Sequence, residues 1–370
     1  MTMKRILFSM IAALIAALAA EAQPITEKFA RFLTIPNNYV CYRTADKINV
    51  DGKLDEKSWQ NAAPVGAFVD ISGEGFPTPR YNTQAKMLWD DEYLYVAAEL
   101  DDPHVWADIK THDEVVYYNN DFEIFIDPDG DTHNYFEIEA NAIGTIFDLA
   151  IEKPYRAPTP TFVQFQWDCP GMKVATKVHG TLNNPKDTDK GWTVEFAIPR
   201  KAIAQSFDNY LKAGNYLRIG FSRVEWQYEL VNGKYQRKKD ASGKYLPEDN
   251  WTWGPTGQIA MHMPERWGFV YLSDRTVGAA DANVKFTYPA DFEIERLLWA
   301  MFYAQEEHFN KTGRYLSTVW QFGLTDKEWA MLPKGAKLSV EAISHDYEIT
   351  VTKPDGKQIY IDVDGYLRRR

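Results

Sequence analysis

The feature that most constrains this chain is a series of short strand-forming segments, each closed by Gly, Pro or Asp. They are Tyr93–Leu100, Phe122–Asp127, Tyr135–Ala140, Gly144–Ala150, Val174–His179, Trp192–Ile198, Tyr216–Trp226 and Trp267–Leu272. Strands of this length separated by turn residues point to an antiparallel β-sandwich. In Trp192–Ile198 the residues Trp192, Val194, Phe196 and Ile198 alternate onto one face, as a half-buried strand requires. Asp127-Pro128-Asp129-Gly130-Asp131 lies between two of the strands and is a strong hairpin signal. No repeat of solenoid or propeller length is visible.

The texture changes after residue 274. Residues 275–290 are short, mixed and linker-like. Asp291 stands where a helix cap belongs, ahead of Ile294, Leu297, Leu298, Met301, Phe302 and Phe309 at helical spacing, and Gly313 is a natural stop. Strand patterns follow at Lys337–Ile343, Asp346–Thr352 and Gln358–Val363, with Pro354-Asp355-Gly356 as a turn. The whole is therefore mainly β. A sandwich over 46–274 is followed by a small α+β domain over 291–370, one helix on an antiparallel sheet. Residues 23–45 form a lead-in without a clear period.

The first 22 residues read as a signal peptide. Lys4 and Arg5 precede an apolar run from Ile6 to Ala20, and Ala20-Glu21-Ala22 fits a small-residue cleavage site. The run is too short for a membrane span, so export, to the periplasm or beyond, is expected. An oxidising destination permits a disulfide between Cys41 and Cys169; two buried thiols is the other reading. The formal net charge is −11, which disfavours nucleic acid as a partner. The 20 Phe, 21 Tyr and 12 Trp supply flat stacking surfaces.

Five segments in order resemble family 9 carbohydrate-binding modules. They are Val50-Asp51-Gly52-Lys53-Leu54-Asp55-Glu56 with Trp59; Trp89 to Val96; Asp121 to Asp127; Gly191 to Pro199; and Asn250 to Pro255 with Arg266-Trp267-Gly268. The resemblance covers residues 46–273. It implies a sandwich that binds sugars in support of extracellular glycan breakdown. It also implies two aromatic side chains holding the sugar, one from Tyr117 or Tyr118 and one from Trp251 or Trp253. Glu123 matches a position that contacts ligand hydroxyls. Where the family carries an Arg, this chain has Glu137 and Glu139.

Glu137, Glu139 and Asn141 share one side of their strand by the period of two. A hairpin closed at Pro128–Asp131 sets Glu123 opposite Glu137, and Arg223 is then the candidate counter-ion. On an exposed sheet face these carboxylates are expected to stay ionised near neutral pH. They suit a neutral, hydroxyl-rich glycan rather than an acidic one. Two competing functions remain open: a glycoside hydrolase using the Glu123, Glu137 and Glu139 cluster, or a haem-binding sandwich with Met261, His262 or Met263 as axial ligand. Asp127, Asp129 and Asp131 alternate as calcium ligands can, but Thr132 and Ile138 occupy the EF-hand Gly and Glu positions, so a plain turn is preferred to an irregular calcium site. The seven histidines show no metal-binding spacing.

Cleavage after Ala22 is expected to leave Gln23 as the N-terminus of exported protein. Mass spectrometry of that protein checks this, and a retained Met1 would refute it.

Overall fold

A computed structural model describes residues 23–204 and 211–370; the expected signal peptide lies outside the described residues. Two compact units are present. One comprises Thr34–Pro289 with Asp364–Tyr366; the other comprises residues 23–33, Ala290–Val363 and Leu367–Arg370. The stretch 23–45 is thus divided between them, and residues 277–289 stay with the larger unit.

The larger unit contains β1 (Asn38–Arg43), β2 (Val69–Asp70), β3 (Thr83–Trp89), β4 (Tyr93–Asp101), β5 (Asp121–Asp127), β6 (Tyr135–Asn141), β7 (Ile146–Ile151) and β8 (Val163–Gln164). It continues with β9 (Lys173–Val178), β10 (Gly191–Pro199), β11 (Tyr216–Glu225), β12 (Tyr228–Val231), β13 (Lys234–Arg237), β14 (Asp249–Thr252) and β15 (Gly268–Thr276). The ladder runs β8-β7-β6-β5-β11, then β15-β1-β3-β4-β10-β9, with β14 also on β11 and β2 on β14. β11 forks: Tyr216–Ile219 pairs with β15, and Ser222–Glu225 pairs with β14. The sheet closes on itself as a sandwich. Phe122 of β5 and Phe196 of β10, distant along the ladder, bring their rings to 6.4 Å. β1, which shows no sequence period, is a parallel strand between β15 and β3, so the sandwich is mostly but not wholly antiparallel.

The core lies between the layers. Phe122, Ile124 and Ile126 of β5 meet Ile219 and Phe221 of β11, Val96 and Ala98 of β4 and Val194 and Phe196 of β10. β10 is buried on both faces. Its second face is covered by the Val50–Trp59 segment, knotted to Glu195. The Glu195 carboxylate accepts the N–H groups of Asp51 and Gly52 at 3.1 and 3.0 Å and the indole N–H of Trp59 at 2.8 Å. Gly52 has φ +76°, and a Cβ there would stand 2.8 Å from the Thr176 carbonyl carbon, so glycine alone fits.

Cys41 and Cys169 are two buried free thiols. Trp253 packs against Gly268, where a Cβ would collide with its ring. Its backbone N–H donates to Phe221 O at 3.1 Å, and its carbonyl accepts the Asn37 amide.

In the smaller unit the helix Phe292–Thr312 ends at Gly313 in the left-handed conformation. Asp291 makes no capping bond; both its oxygens instead take the Lys353 ammonium at 3.1 Å. The sheet of β16 (Lys337–Ala342), β17 (Tyr347–Thr352) and β18 (Gln358–Asp362) gains an edge strand missed in the sequence, β19 (Leu367–Arg369). No helix among the described residues is long and apolar enough to cross a membrane.

Because Trp253 is a core residue, Trp253→Ala is expected to cost about 3–5 kcal/mol of stability, read from the urea midpoint.

Candidate functional site

The hairpin β5–β6 positions the site. Residues directly paired across a sheet share a face, and the pairs are Asp121 with Asn141, Glu123 with Glu139 and Phe125 with Glu137. The expected Glu123–Glu137 register is therefore corrected by two residues. The connection Pro128–Asn134 is longer than a tight turn, with Thr132 and Asn134 both at positive φ. β7 adds Phe147 and Leu149 to the same face, opposite Glu139 and Glu137.

Loops wall this face into a cup of about 440 Å³. Glu123, Glu137 and Glu139 form the floor with Phe125, Phe147 and Leu149. The walls come from Tyr117 and Tyr118, from Tyr155 and Phe165, and from Ile259 to His262. Tyr118, Tyr155 and Phe165 are exposed, at 42%, 51% and 58%. A larger hollow of about 700 Å³ lies against Phe136, Ala150, Trp167 and Tyr366 and holds only Asp129 and Asp131 among the predicted residues.

The carboxyl groups are buried, contrary to the exposed face expected. Desolvation pushes Glu123 up to about 7 and, with the charge of Glu123 beside it, Glu137 up to about 8. Glu139 and Asp121 are raised too, first by burial and then by their acidic neighbours. Asp121, Glu123 and Glu139 bring carboxylate oxygens within 4.8 Å of one another. Glu139 Oε2 accepts the Tyr117 N–H at 3.1 Å, which ties the aromatic wall to the floor. His262 gives Glu137 little help. Burial lowers its pKa to about 4, its Nδ1 faces Tyr135 Oη at 3.0 Å, and its Nε2 is 3.8 Å from Glu137.

Several predicted residues stand elsewhere. Arg223 pairs with Phe122 and so faces the interior side. It is fully buried, bound to Glu225 at 2.8 Å and to Thr83 Oγ1 at 3.1 Å, and is not the counter-ion of the Glu cluster. Trp251 and Trp253 are 2% and 1% exposed within the core and offer no platform to a ligand. Asn141 is internal as well: its amide donates to Ile109 O at 2.9 Å and its oxygen accepts the N–H of Thr145 at 3.0 Å.

Tyr155 and Phe165 were missed. Their signal was aromatic residues in a stretch broken by Pro154, Pro158 and Pro160, which cannot be a core strand.

In the β5–β6 connection Asp127 accepts the N–H groups of Gly130 and Thr132 at 2.9 and 2.8 Å, as a turn residue does. Asp127, Asp129 and Asp131 also converge within 4.8 Å, and Asp129 Oδ1 is buried without a hydrogen bond, so the all-oxygen donor set fits calcium. For haem, a cup floored by three Glu carboxyls is a poor seat for an apolar porphyrin face.

Residues 50–274 match the family described as "Carbohydrate family 9 binding domain-like", and the chain belongs to that family. It is 29% identical over 157 residues to endo-1,4-beta-xylanase A of Thermoanaerobacterium saccharolyticum, covering 42% of this chain and 11% of that protein. It is 27% identical over 154 residues to exoglucanase XynX of Acetivibrio thermocellus, covering 42% of this chain and 12% of that protein. The chain thus spans about a tenth of the length of these relatives. Among solved structures it is similar to a family 9 carbohydrate-binding module of Caldicellulosiruptor kristjanssonii in complex with cellotriose. That match has 18% identity over 68% of this chain and 100% of the module, at a TM-score of 0.41. The same organism's module in complex with glucose gives 17%, 66%, 100% and 0.40.

The raised carboxyls set a pH dependence. A buried acid whose pKa rises on folding binds protons in the folded state that the unfolded chain has released, so stability falls as pH rises through the window. From the ordinary carboxylate value of 4.5 to about 7 for Glu123 and about 8 for Glu137, stability is expected to decline. Glu137→Gln should flatten that decline and raise the melting temperature above about pH 8 by several degrees. A melting series across pH checks it, and a profile equally steep in the variant would refute it.

Proposed function

We propose that this protein is an exported, non-catalytic glycan-binding protein that serves extracellular glycan breakdown. The observation that carries this reading is the cup itself: exposed rings at its rim, from two separate loops, above a floor of hydrogen-bonding carboxyls. A pyranose has an apolar C–H face and an equatorial rim of hydroxyls. Tyr118, Tyr155 and Phe165 suit the first, and Glu123, Glu137 and Glu139 suit the second. A protonated carboxyl both donates and accepts, as a hydroxyl partner should. An ionised one repels an acidic sugar, so the ligand is neutral. The family supports this reading, and relatives named as a xylanase and an exoglucanase make xylo- and gluco-oligosaccharides the first probes. A calcium ion held by Asp127, Asp129 and Asp131 would neutralise the β5–β6 connection outside the cup.

One observation favours a second reading, glycoside cleavage. With Glu123 near 7 and Glu137 near 8, a protonated acid and an ionised base can coexist at neutral pH. Turnover of a bound glycan that vanishes in Glu137→Gln, with binding intact, would establish cleavage instead.

A glycan array followed by calorimetry tests the binding reading. Tyr118→Ala and Phe165→Ala are each expected to weaken binding by about 1–3 kcal/mol, the cost of removing a stacking ring beneath a nucleic-acid base. Unchanged affinity in both variants would overturn the assignment of the cup.

A further inference from the structure

Three segments bring one imidazole and three carboxylates together outside the cup. His112 and Asp113 stand on the loop between β4 and β5, Asp148 on β7, and Asp168 on the segment that follows β8. His112 Nε2 lies 3.0 Å from Asp168 Oδ1, 3.2 Å from Asp113 Oδ1 and 3.2 Å from Asp148 Oδ1.

An imidazole nitrogen carries at most one proton, so it can serve one carboxylate, not three. That hydrogen bond goes to Asp168. Asp148 is the telling member. Its side chain is 1% exposed, and its Oδ2 accepts the Cys169 N–H at 2.6 Å. Its Oδ1 is fully buried, makes no hydrogen bond and points at the His112 nitrogen. A buried carboxylate oxygen aimed at two further carboxylates and a saturated imidazole is unfavourable unless a cation sits among them.

We propose that His112, Asp113, Asp148 and Asp168 bind one divalent transition cation of the zinc or manganese class. The spacing fits: four ligand atoms placed tetrahedrally about 2.0–2.1 Å from an ion stand about 3.3 Å apart. The donor set fits as well, since imidazole selects against calcium and magnesium while carboxylates suit zinc and manganese. Asp148 is anchored in the sheet. His112 and Asp168, 50% and 72% exposed, leave the ion a path in. The ion would join the loop that carries Tyr117 and Tyr118 to the segment that carries Phe165. No histidine spacing announces this site, because its ligands come from segments far apart in sequence.

The site stands whether or not the cup takes a glycan, and the test uses metal alone. Chelator-treated protein is titrated with zinc chloride and with manganese chloride by calorimetry, and its melting temperature is followed. One ion per chain is expected, with a rise in melting temperature on binding. His112→Ala and Asp168→Asn change exposed side chains, so folding should persist, which circular dichroism verifies. Each is expected to weaken metal binding at least about tenfold. Absence of binding by both ions, or a His112→Ala protein that binds as tightly as the wild type, would overturn the proposal. So would a preference for calcium that survives His112→Ala.

Discussion

The side-chain period of two in the β5–β6 hairpin is the constraint on which the rest depends. Phe122, Ile124 and Ile126 enter the core, so Asp121, Glu123 and Phe125 must take the other face. Pairing then delivers Glu137 and Glu139 to that same face with no freedom to choose. A shift of one residue would put Asp121 and Glu123 in the core and Phe122, Ile124 and Ile126 in the cup. The sandwich core therefore places the site's chemistry before any loop is considered.

The loops then decide what that chemistry becomes. A row of carboxyls on an open sheet would remain ionised and hydrated. Walls from three separate stretches of chain, at Tyr117–Tyr118, at Tyr155 and Phe165, and at Ile259–His262, remove the water instead. Like charges so enclosed hold protons to higher pH. The floor can then present hydroxyl-like donors as well as acceptors.

Strand positions and the family resemblance were legible because they rest on local pattern. Tyr93–Asp101 and Gly191–Pro199 fall where alternation and turn residues place them. What failed depended on distant parts of the chain. The Glu123 register turned on the conformation of Thr132 and Asn134. Arg223 lies one position from the residues facing the cup, and that parity follows from its pairing with Phe122. Trp251 and Trp253 read as surface residues because they flank a loop, yet room beside Gly268 draws Trp253 inward. The burial of the Glu cluster was hidden because the walls that cause it are remote in sequence. Among the binding candidates, Tyr117, Tyr118, Glu123, Glu137 and Glu139 do come together at the cup, whereas Asn141, Arg223, Trp251 and Trp253 belong to the scaffold.

The fork in β11 has a kinetic meaning. That strand is bonded to β5 along one edge and to β15 and then β14 along the other. Its amides are thus protected from both sides at once, and β5, which carries Glu123, is held between it and β6. In amide exchange such a strand belongs to the last cooperative unit to let go, while the aromatic walls sit on irregular chain at the labile end of the scale. Rates of ligand entry and escape would then be set by wall motion over a floor that stays fixed between encounters.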